Sequence, residues 1–172
     1  MEFTNSQIEL QNIPKIEDVL LKPISKKYLN IIIINKTILF SVLFIVLFIL
    51  KLVIDDNEVQ AVFWYAFFVL VLISIANFII SVMGFKKRKY AVREHDVIYS
   101  KGLLFHSITT VPIHRIQHIE ESRSWLARQF GLAALNIYTA GESGSDLSIK
   151  GLPHDEAKQI KEFISSKVNA IN

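Results

Sequence analysis

The fold of this chain is decided by two apolar stretches, TILFSVLFIVLFILKLVI at residues 37–54 and AVFWYAFFVLVLISIANFIISVMGF at residues 61–85. The first contains a single charge, Lys51, near its end, and the second contains none. An α-helix needs roughly 20 apolar residues to cross about 30 Å of hydrocarbon. The pattern therefore predicts two transmembrane helices, at about 37–54 and 61–83.

A pair of buried core helices is the alternative interpretation of these stretches. A chain of 172 residues could hardly cover two helices that are apolar on every face, so we favour the membrane. The acidic loop Asp55–Glu58 is short enough to make the helices antiparallel neighbours. The chain then divides into an N-terminal arm (1–30), a transmembrane hairpin (31–85) and a C-terminal domain (86–172).

Basic residues are concentrated on one side of the predicted hairpin. They precede the first helix and follow the second: Lys15, Lys22, Lys26, Lys27, Lys36, Lys86, Lys87, Arg88, Lys89 and Arg93. The connecting loop has none apart from Lys51 on its membrane edge. Because basic flanks stay on the cytoplasmic side, we expect a multi-pass protein of the plasma (inner) membrane with both termini in the cytoplasm.

Polar residues within the second stretch share one helical face. Ser74, Asn77 and Ser81 are three and four positions apart. Such a stripe suits hydrogen bonding to the partner helix. A substrate path is the alternative, but no ionisable residue accompanies the stripe, so we favour helix packing.

The sequence after the hairpin predicts a small antiparallel β structure closed by a helix. Short runs rich in β-branched and aromatic residues alternate with turn signals. The predicted strands are Arg88–Val92, Val97–Ser100, Leu103–Val111, Ile113–Glu120, Leu132–Thr139 and Leu147–Lys150. A short helix is expected within Ser122–Phe130, a turn at 140–146, and an amphipathic helix at Asp155–Val168. Ile113, Ile116 and Ile119 do not alternate cleanly, which indicates a β-bulge.

Several short motifs in this order resemble those of a known family. They are Tyr90-Ala91-Val92, Gly102-Leu103-Leu104, Val111-Pro112-Ile113-His114-Arg115-Ile116-Gln117, Leu126-Ala127-Arg128-Gln129-Phe130-Gly131-Leu132-Ala133, Leu135-Asn136-Ile137-Tyr138-Thr139-Ala140-Gly141 and Ile149-Lys150-Gly151-Leu152. The domain is similar to the bacterial pleckstrin-homology-like (PH-like) domain of YdbS-like membrane proteins, over about residues 85–168. The resemblance implies a split β-barrel of PH type with a C-terminal helix, tethered to the membrane and without enzymatic activity.

Basic and aromatic residues supply the candidate contact sites. Lys86, Lys87, Arg88 and Lys89 form a juxtamembrane cluster that attracts anionic lipid, although the topology signal alone explains it. Eukaryotic PH domains bind phosphoinositides with a basic first hairpin loop. The matching loop here, residues 93–96, carries two acids, so that mode of binding is not expected.

Three residues of the β domain are further candidates. Arg115 and Arg128 could accept a lipid headgroup or an acidic partner, but we favour internal pairing, with Glu120 or a backbone carbonyl. Trp125 could form an exposed docking spot with Leu126 and Phe130. The alternative, which we favour, is a short helix whose apolar residues plug the barrel.

Catalytic, metal and cofactor sites are not expected. The sequence has no cysteine, which excludes thiolate catalysis and cysteine-ligated metals. His114, His118 and Glu120 could share a strand face, but a zinc site needs a further convergent ligand. No serine lies in a G-x-S-x-G context. Nucleic-acid binding is disfavoured because the basic stretch lies against the bilayer.

The sequence therefore predicts a non-enzymatic, membrane-anchored interaction module. Its partners would be the lipid bilayer and another membrane protein or a second copy of the chain, because tethering raises the effective concentration of weak contacts. Anionic-lipid headgroup binding at the inner leaflet is the first alternative. A subunit of a membrane enzyme or transporter is the second.

Overall fold

A computed structural model describes residues 19–54, 57–103, 105–139 and 147–171 of the chain. Its elements are β1 (Lys22–Pro23), α1 (Lys27–Val53), α2 (Asn57–Lys86), β2 (Lys89–Val92), β3 (Asp96–Lys101), β4 (Ser107–Pro112), a 3-10 turn (Ile113–Arg115), β5 (Ile116–Ser122), α3 (Trp125–Gln129), β6 (Leu132–Thr139), β7 (Leu147–Pro153) and α4 (His154–Ile171). We call the seven strands with α3 and α4 the β domain. The first part of the N-terminal arm, the acidic residues at 55–56 and the turn at 140–146 lie outside the described residues.

Two long apolar helices form the predicted hairpin. In the most apolar window of each, only 11% of α1 and none of α2 is buried, whereas the core helices of a soluble domain are mostly buried. Rings interlock across the pair, with Phe40 and Phe78 centroids 6.0 Å apart and Phe44 and Phe67 centroids 5.6 Å apart. Helix α1 begins at Lys27, before the predicted position 37, because the polar residues Asn35 and Lys36 do not interrupt it.

At the loop end of the hairpin, where the chain turns from α1 into α2, polar contacts join the two helices. The Lys51 ammonium lies 4.5 Å from the Phe63 ring centroid and 4.9 Å from that of Trp64. The Gln60 amide donates to the Lys51 carbonyl oxygen at 3.3 Å. These contacts place the one charge of the first stretch at an aromatic interface belt. We call the opposite end of the hairpin, beside the β domain, the domain end.

The strands form two antiparallel sheets around one core. The first sheet has the order β1-β2-β3-β4 and the second has the order β5-β6-β7. No hydrogen-bonded ladder joins the two sheets in the described part of the chain, so the expected barrel is split and not closed. Buried residues from both sheets and from α4 share a single apolar cluster, with Leu135, Ile137 and Ile149 fully inaccessible. This is the predicted α+β, PH-like architecture.

The corner between the sheets differs from the predicted strands. The strand expected at Leu103–Val111 begins only at Ser107, and the one expected at Ile113–Glu120 begins with a 3-10 turn. Ile113 and Ile116 thereby both face the core, at 2% and 4% exposure. The pairing of β5 with β6 shifts register between Ile116 and His118. The predicted bulge is therefore confirmed.

The C-terminal helix α4 packs one face on the sheets. Of the predicted apolar face, Ala157, Ile160 and Ile164 are buried and Val168 is partly buried against the core. The prediction is wrong for Phe163, which is 37% exposed and has the Lys167 ammonium 5.9 Å from its ring centroid. A position one residue off the centre of a helical stripe is at its edge.

The domain end of the hairpin is built into the β domain. Ile24, just before α1, and Phe85, in the last turn of α2, are 3% and 9% exposed within the shared core. The N–H of Ser25 donates to the Gly151 carbonyl oxygen at 2.9 Å. Gly151 has φ +84°, and a Cβ there would lie 2.6 Å from Cγ of Tyr28 in α1. The first turn of the membrane helix therefore lies directly on the backbone of β7.

A polar cluster ties the same junction from the other side. The Lys22 ammonium lies 2.6 Å from Oε1 of Glu156 in α4, and the Tyr90 hydroxyl donates to the same oxygen. Burial raises the pKa of the Tyr90 hydroxyl, and its hydrogen bond to Glu156 raises it further. Burial alone would raise the pKa of the Glu156 carboxyl, but the hydrogen bonds from Lys22 and Tyr90 outweigh it and lower that pKa.

Replacing Gly151 should test the close contact with Tyr28. We expect Gly151→Ala to lower the free energy of unfolding by about 2–5 kcal/mol, because backbone strain and overpacking add. Gly131 is the matched control: it also has positive φ, but a Cβ there meets nothing within 4 Å. Gly131→Ala should cost only about 1–2 kcal/mol. Thermal unfolding of the detergent-solubilised chain measures both, and equal losses would contradict the contact.

Acidification should remove the stabilisation by Glu156. A carboxyl with a lowered folded pKa stabilises the fold above its unfolded value, here 4.5, and this is lost as pH falls through the folded pKa. We expect Glu156→Gln to lower the unfolding temperature at pH 7, and the difference from wild type to shrink in acid. The control is Glu162→Gln in the exposed pair with Lys158, which should have little effect at any pH. Parallel pH profiles of wild type and E156Q would contradict the cluster's role.

Candidate functional site

The juxtamembrane basic cluster is divided by the structure. Lys86 ends α2, Lys87 follows it and Lys89 begins β2, and all three are exposed. Arg88 is half-buried and turned toward α1, with its guanidinium carbon 5.8 Å from the Tyr28 ring centroid. Three exposed amines therefore face solvent or headgroups, whereas the one guanidinium lines a cleft.

That cleft lies at the domain end, between the two helices and the loop from β3 to β4. Its volume is about 530 Å³. The polar side chains that line it come from three segments: Asn35 and Lys36 from α1, Ser81 from α2, and Arg88. We call it the domain-end cleft. Along the helix axis Lys36 lies about 23 Å from Lys51, and Tyr28, also in the wall of the cleft, lies about 35 Å from it. The cleft therefore spans the level at which a hydrocarbon core of about 30 Å ends.

The polar stripe of α2 ends in this cleft. The Ser74 hydroxyl donates to the Val71 carbonyl of its own helix at 2.7 Å. The Asn77 Oδ1 atom is buried and has no hydrogen-bond partner among the described residues. Ser81 lines the domain-end cleft. None of these three side chains therefore makes the predicted hydrogen bond to the described residues of the partner helix.

The rim of the domain-end cleft is formed by the loop from β3 to β4. Phe105 is 88% exposed there, next to the membrane helices. A Cβ on Gly102 would lie 1.9 Å from the Phe105 carbonyl oxygen, so only glycine permits this tight turn. The Ser100 hydroxyl and Nε2 of His106 are 2.9 Å apart and tether the far side of the loop. Phe105 is thus held at the rim.

Helix α3 lies on the other side of α1. Ser124 caps it by accepting a hydrogen bond from the Ala127 N–H at 3.2 Å. A second cleft of about 300 Å³ separates Ser124 and Ala127 from Ile31 and the rest of the domain end of α1. Trp125 is 70% exposed, and no residue of α3 is buried. The interpretation of α3 as a plug for the barrel is therefore wrong, because the core is already filled by the sheets and α4.

Arg115 and Arg128 are exposed and lie on separate elements, the 3-10 turn and α3. Neither forms an ion pair with a carboxylate in the described part of the chain. The predicted internal partner, Glu120, accepts instead from the Tyr138 hydroxyl at 3.0 Å, which raises the pKa of that hydroxyl. The favoured interpretation of internal pairing is therefore wrong for both arginines, and their role as contacts stays a prediction.

The histidines do not converge. His114 lies in the 3-10 turn, whereas His118 packs on the Tyr138 ring with centroids 5.6 Å apart. His154 Nδ1 lies 2.8 Å from a carboxylate oxygen of Glu121, where β5 meets α4. Within the described ranges, no three His, Cys, Asp or Glu side chains are grouped so that they could hold a metal ion.

Comparison with known proteins identifies the family of this chain. The sequence model of the family described as "Bacterial PH domain" matches residues 31–168. This range includes α1 from Ile31 onward, all of α2, and the β domain from β2 to Val168 in α4. The chain belongs to the bacterial PH domain family. The membrane helices are thus part of what the family shares, beyond the portion that the sequence motifs indicated.

One curated relative is named as a transmembrane protein. The chain is 32% identical over 91 residues to the UPF0699 transmembrane protein YdbS of Bacillus subtilis (strain 168). The match covers 53% of this chain and 55% of that protein, so the chain spans about half of its length. No solved structure matches the chain. This bacterial PH domain protein is a membrane protein with a PH-like domain.

Two candidate contact residues were missed by sequence reasoning. Lys36 was counted only as a topology signal, and Phe105 was placed inside a strand. The signal for Lys36 was its position after a run of four isoleucines. A charged side chain within a membrane helix is costly, and it therefore indicates a functional contact. Phe105 had no signal, because its exposure depends on the turn at Gly102.

Trp125 should report the depth of α3 at the membrane. Only two tryptophans occur in the chain, so Trp64→Phe leaves Trp125 as the sole indole. In vesicles we expect its fluorescence to be quenched more by lipids brominated near the headgroup than by lipids brominated near the chain terminus, because indoles settle at the interface. Trp125→Phe, which keeps Trp64, is the control. Absence of quenching from either lipid would contradict this placement.

Proposed function

We propose that this protein is a non-enzymatic, membrane-anchored interaction module that pairs with another membrane-protein chain through the open edge of β4. In this proposal both termini lie in the cytoplasm, and the β domain is held against the inner leaflet. The observation that carries the proposal is the free edge of the first sheet. Strand β4 pairs with β3 on one side and, among the described residues, with no strand on the other.

The composition of β4 supports pairing at this edge. Its sequence, SITTVP, contains no charge, and its one proline, Pro112, is the last residue of the strand, so the residues before it keep their N–H groups. Ile108 and Thr110 are exposed. Proteins usually protect open edges with charged side chains, prolines or very short strands. The opposite edge of the same sheet has such protection, because β1 is only two residues long and ends at Pro23. Unpaired N–H and C=O groups along β4 can accept a strand from a partner.

The attachment of the domain supports a partner in the same bilayer. The contact of Tyr28 with Gly151 and the burial of Phe85 join the β domain to the hairpin. Strand β4 follows directly from the Phe105 loop at the domain-end cleft, so its edge begins beside the membrane. Confinement to one membrane raises the effective concentration of a partner, so that one strand pairing suffices.

Site-specific photocrosslinking from β4 tests this function. A benzophenone side chain is placed at Thr110, and at Gln159 on the exposed face of α4 as control. After irradiation of native membranes, we expect a crosslinked membrane protein from Thr110 only, and its mass distinguishes a different chain from a second copy. Thr110→Lys should abolish co-purification of that partner, because a charged edge resists pairing, whereas Gln159→Lys should not. Equal crosslinks from both positions, or none, would refute the proposal.

A further inference from the structure

The domain-end cleft combines two cations with neutral hydrogen-bond donors. Lys36 and Arg88 line it together with Asn35 and Ser81. The described residues that line it include no Asp or Glu, and neither cation forms an ion pair with a described carboxylate. The cleft is therefore complementary to an anion that brings oxygen acceptors for two positive charges.

Lys36 lies at a position where an anion would stabilise its charge. It lies in α1 two turns beyond Tyr28, toward the membrane, in a short polar stretch between the apolar runs Ile31–Ile34 and Ile38–Phe40. A charge at this depth is costly unless the side chain reaches the interface or pairs with a counter-ion. Reaching the interface leads the ammonium into the cleft, toward the level of Arg88. Both cationic side chains then line the domain-end cleft at the height of the lipid headgroups.

The walls of the cleft accommodate a lipid and not merely a small anion. Ile32 and Ile80 line it, and both belong to the membrane helices. At Gly84 an added Cβ meets nothing within 4 Å, so the absence of a side chain leaves the floor open. Phe105 bounds the cleft on the side of the β domain. An acyl chain can follow the helices while its phosphate lies between the cations.

We infer that the domain-end cleft binds one anionic phospholipid, with Lys36 and Arg88 on its phosphate and Ile32 and Ile80 beside its acyl chain. The site is distinct from the exposed amines of Lys86, Lys87 and Lys89, which attract anionic lipid without enclosing it. It is also distinct from the edge of β4, so loss of either interaction leaves the other intact.

Lipid retention measured by native mass spectrometry tests the inference. The full chain is reconstituted with equal amounts of phosphatidylglycerol and phosphatidylcholine, extracted in mild detergent, and scored for bound lipid. We expect one phosphatidylglycerol per chain. Lys36→Gln and Arg88→Gln should each reduce its retention by roughly fivefold, since a basic group near an anionic surface contributes on that order. The double variant should retain no more phosphatidylglycerol than phosphatidylcholine.

Two further variants distinguish lipid binding in the cleft from lipid binding by the exposed lysines beside it. Gly84→Leu fills the open floor without changing charge, and leucine favours a helix more than glycine does, so the hairpin should stay folded while the lipid is lost. Lys86→Gln with Lys87→Gln removes two exposed charges and should leave retention unchanged. Unfolding temperatures close to that of wild type establish that each variant is folded.

The outcomes decide between the cleft and other sources of binding. Loss in the cleft variants with retention in the Lys86 and Lys87 control supports the inference. Loss only in the control, or equal retention in every variant, overturns it. Displacement of the lipid by millimolar glycerol phosphate, on the order of a weak headgroup affinity, also overturns it, because the site would then recognise a free phosphate without its acyl chain.

Discussion

The contact between the Tyr28 ring and the backbone of Gly151 constrains the rest of the structure. A membrane helix that merely precedes a soluble domain leaves that domain free to turn on its linker. Here the first turn of α1 lies on β7 closely enough that a single methyl group at Gly151 would clash with the ring. The burial of Ile24 and Phe85 in the same core extends this contact to both helices at the domain end of the hairpin. These contacts fix the orientation of the β domain relative to the hairpin.

Apolar burial, more than charge, holds this junction. The ion pair of Lys22 with Glu156 joins a 62% exposed ammonium to a carboxylate of 23% exposure, and exposed pairs of this kind contribute little. Ile24 and Tyr90 are each 3% exposed, and full burial of an apolar side chain stabilises by about 1.5–3 kcal/mol. The polar cluster gives the junction its geometry, while the shared core gives it most of its stability.

The fixed orientation of the β domain determines which of its exposed residues lie beside the membrane helices. Phe105 and Trp125 are exposed aromatic residues on different elements, and each lies beside α1 at the domain end. On a freely tumbling domain they would be scattered apolar residues, which are common. Held at the height of the headgroups, they suit the interface, where aromatic side chains prefer to lie. Under the proposed function, the same argument applies to the open edge of β4, for which a partner in the same membrane has the highest effective concentration.

The sequence by itself determined the hairpin, the order of the elements other than β1 and the 3-10 turn, and the family resemblance. These follow from local patterns: apolar length for the helices, β-branched runs for β6, and the apolar face of α4. Strand β6 agrees residue for residue with its prediction at Leu132–Thr139. The bulge after Ile116 was also readable, because three isoleucines at a spacing of three cannot alternate across a pleated strand.

Only the tertiary structure decided which surfaces were free and which residues met. Trp125 has the spacing of a core residue, but its exposure depends on whether the sheets and α4 already fill the core. Lys36 and Arg88 are far apart in sequence, and their common cleft arises from antiparallel helices ending against one domain. The empty space at Gly84 and the clash at Gly151 are equally invisible in the sequence. Periodicity specifies one element at a time, whereas clefts and edges depend on how the elements pack.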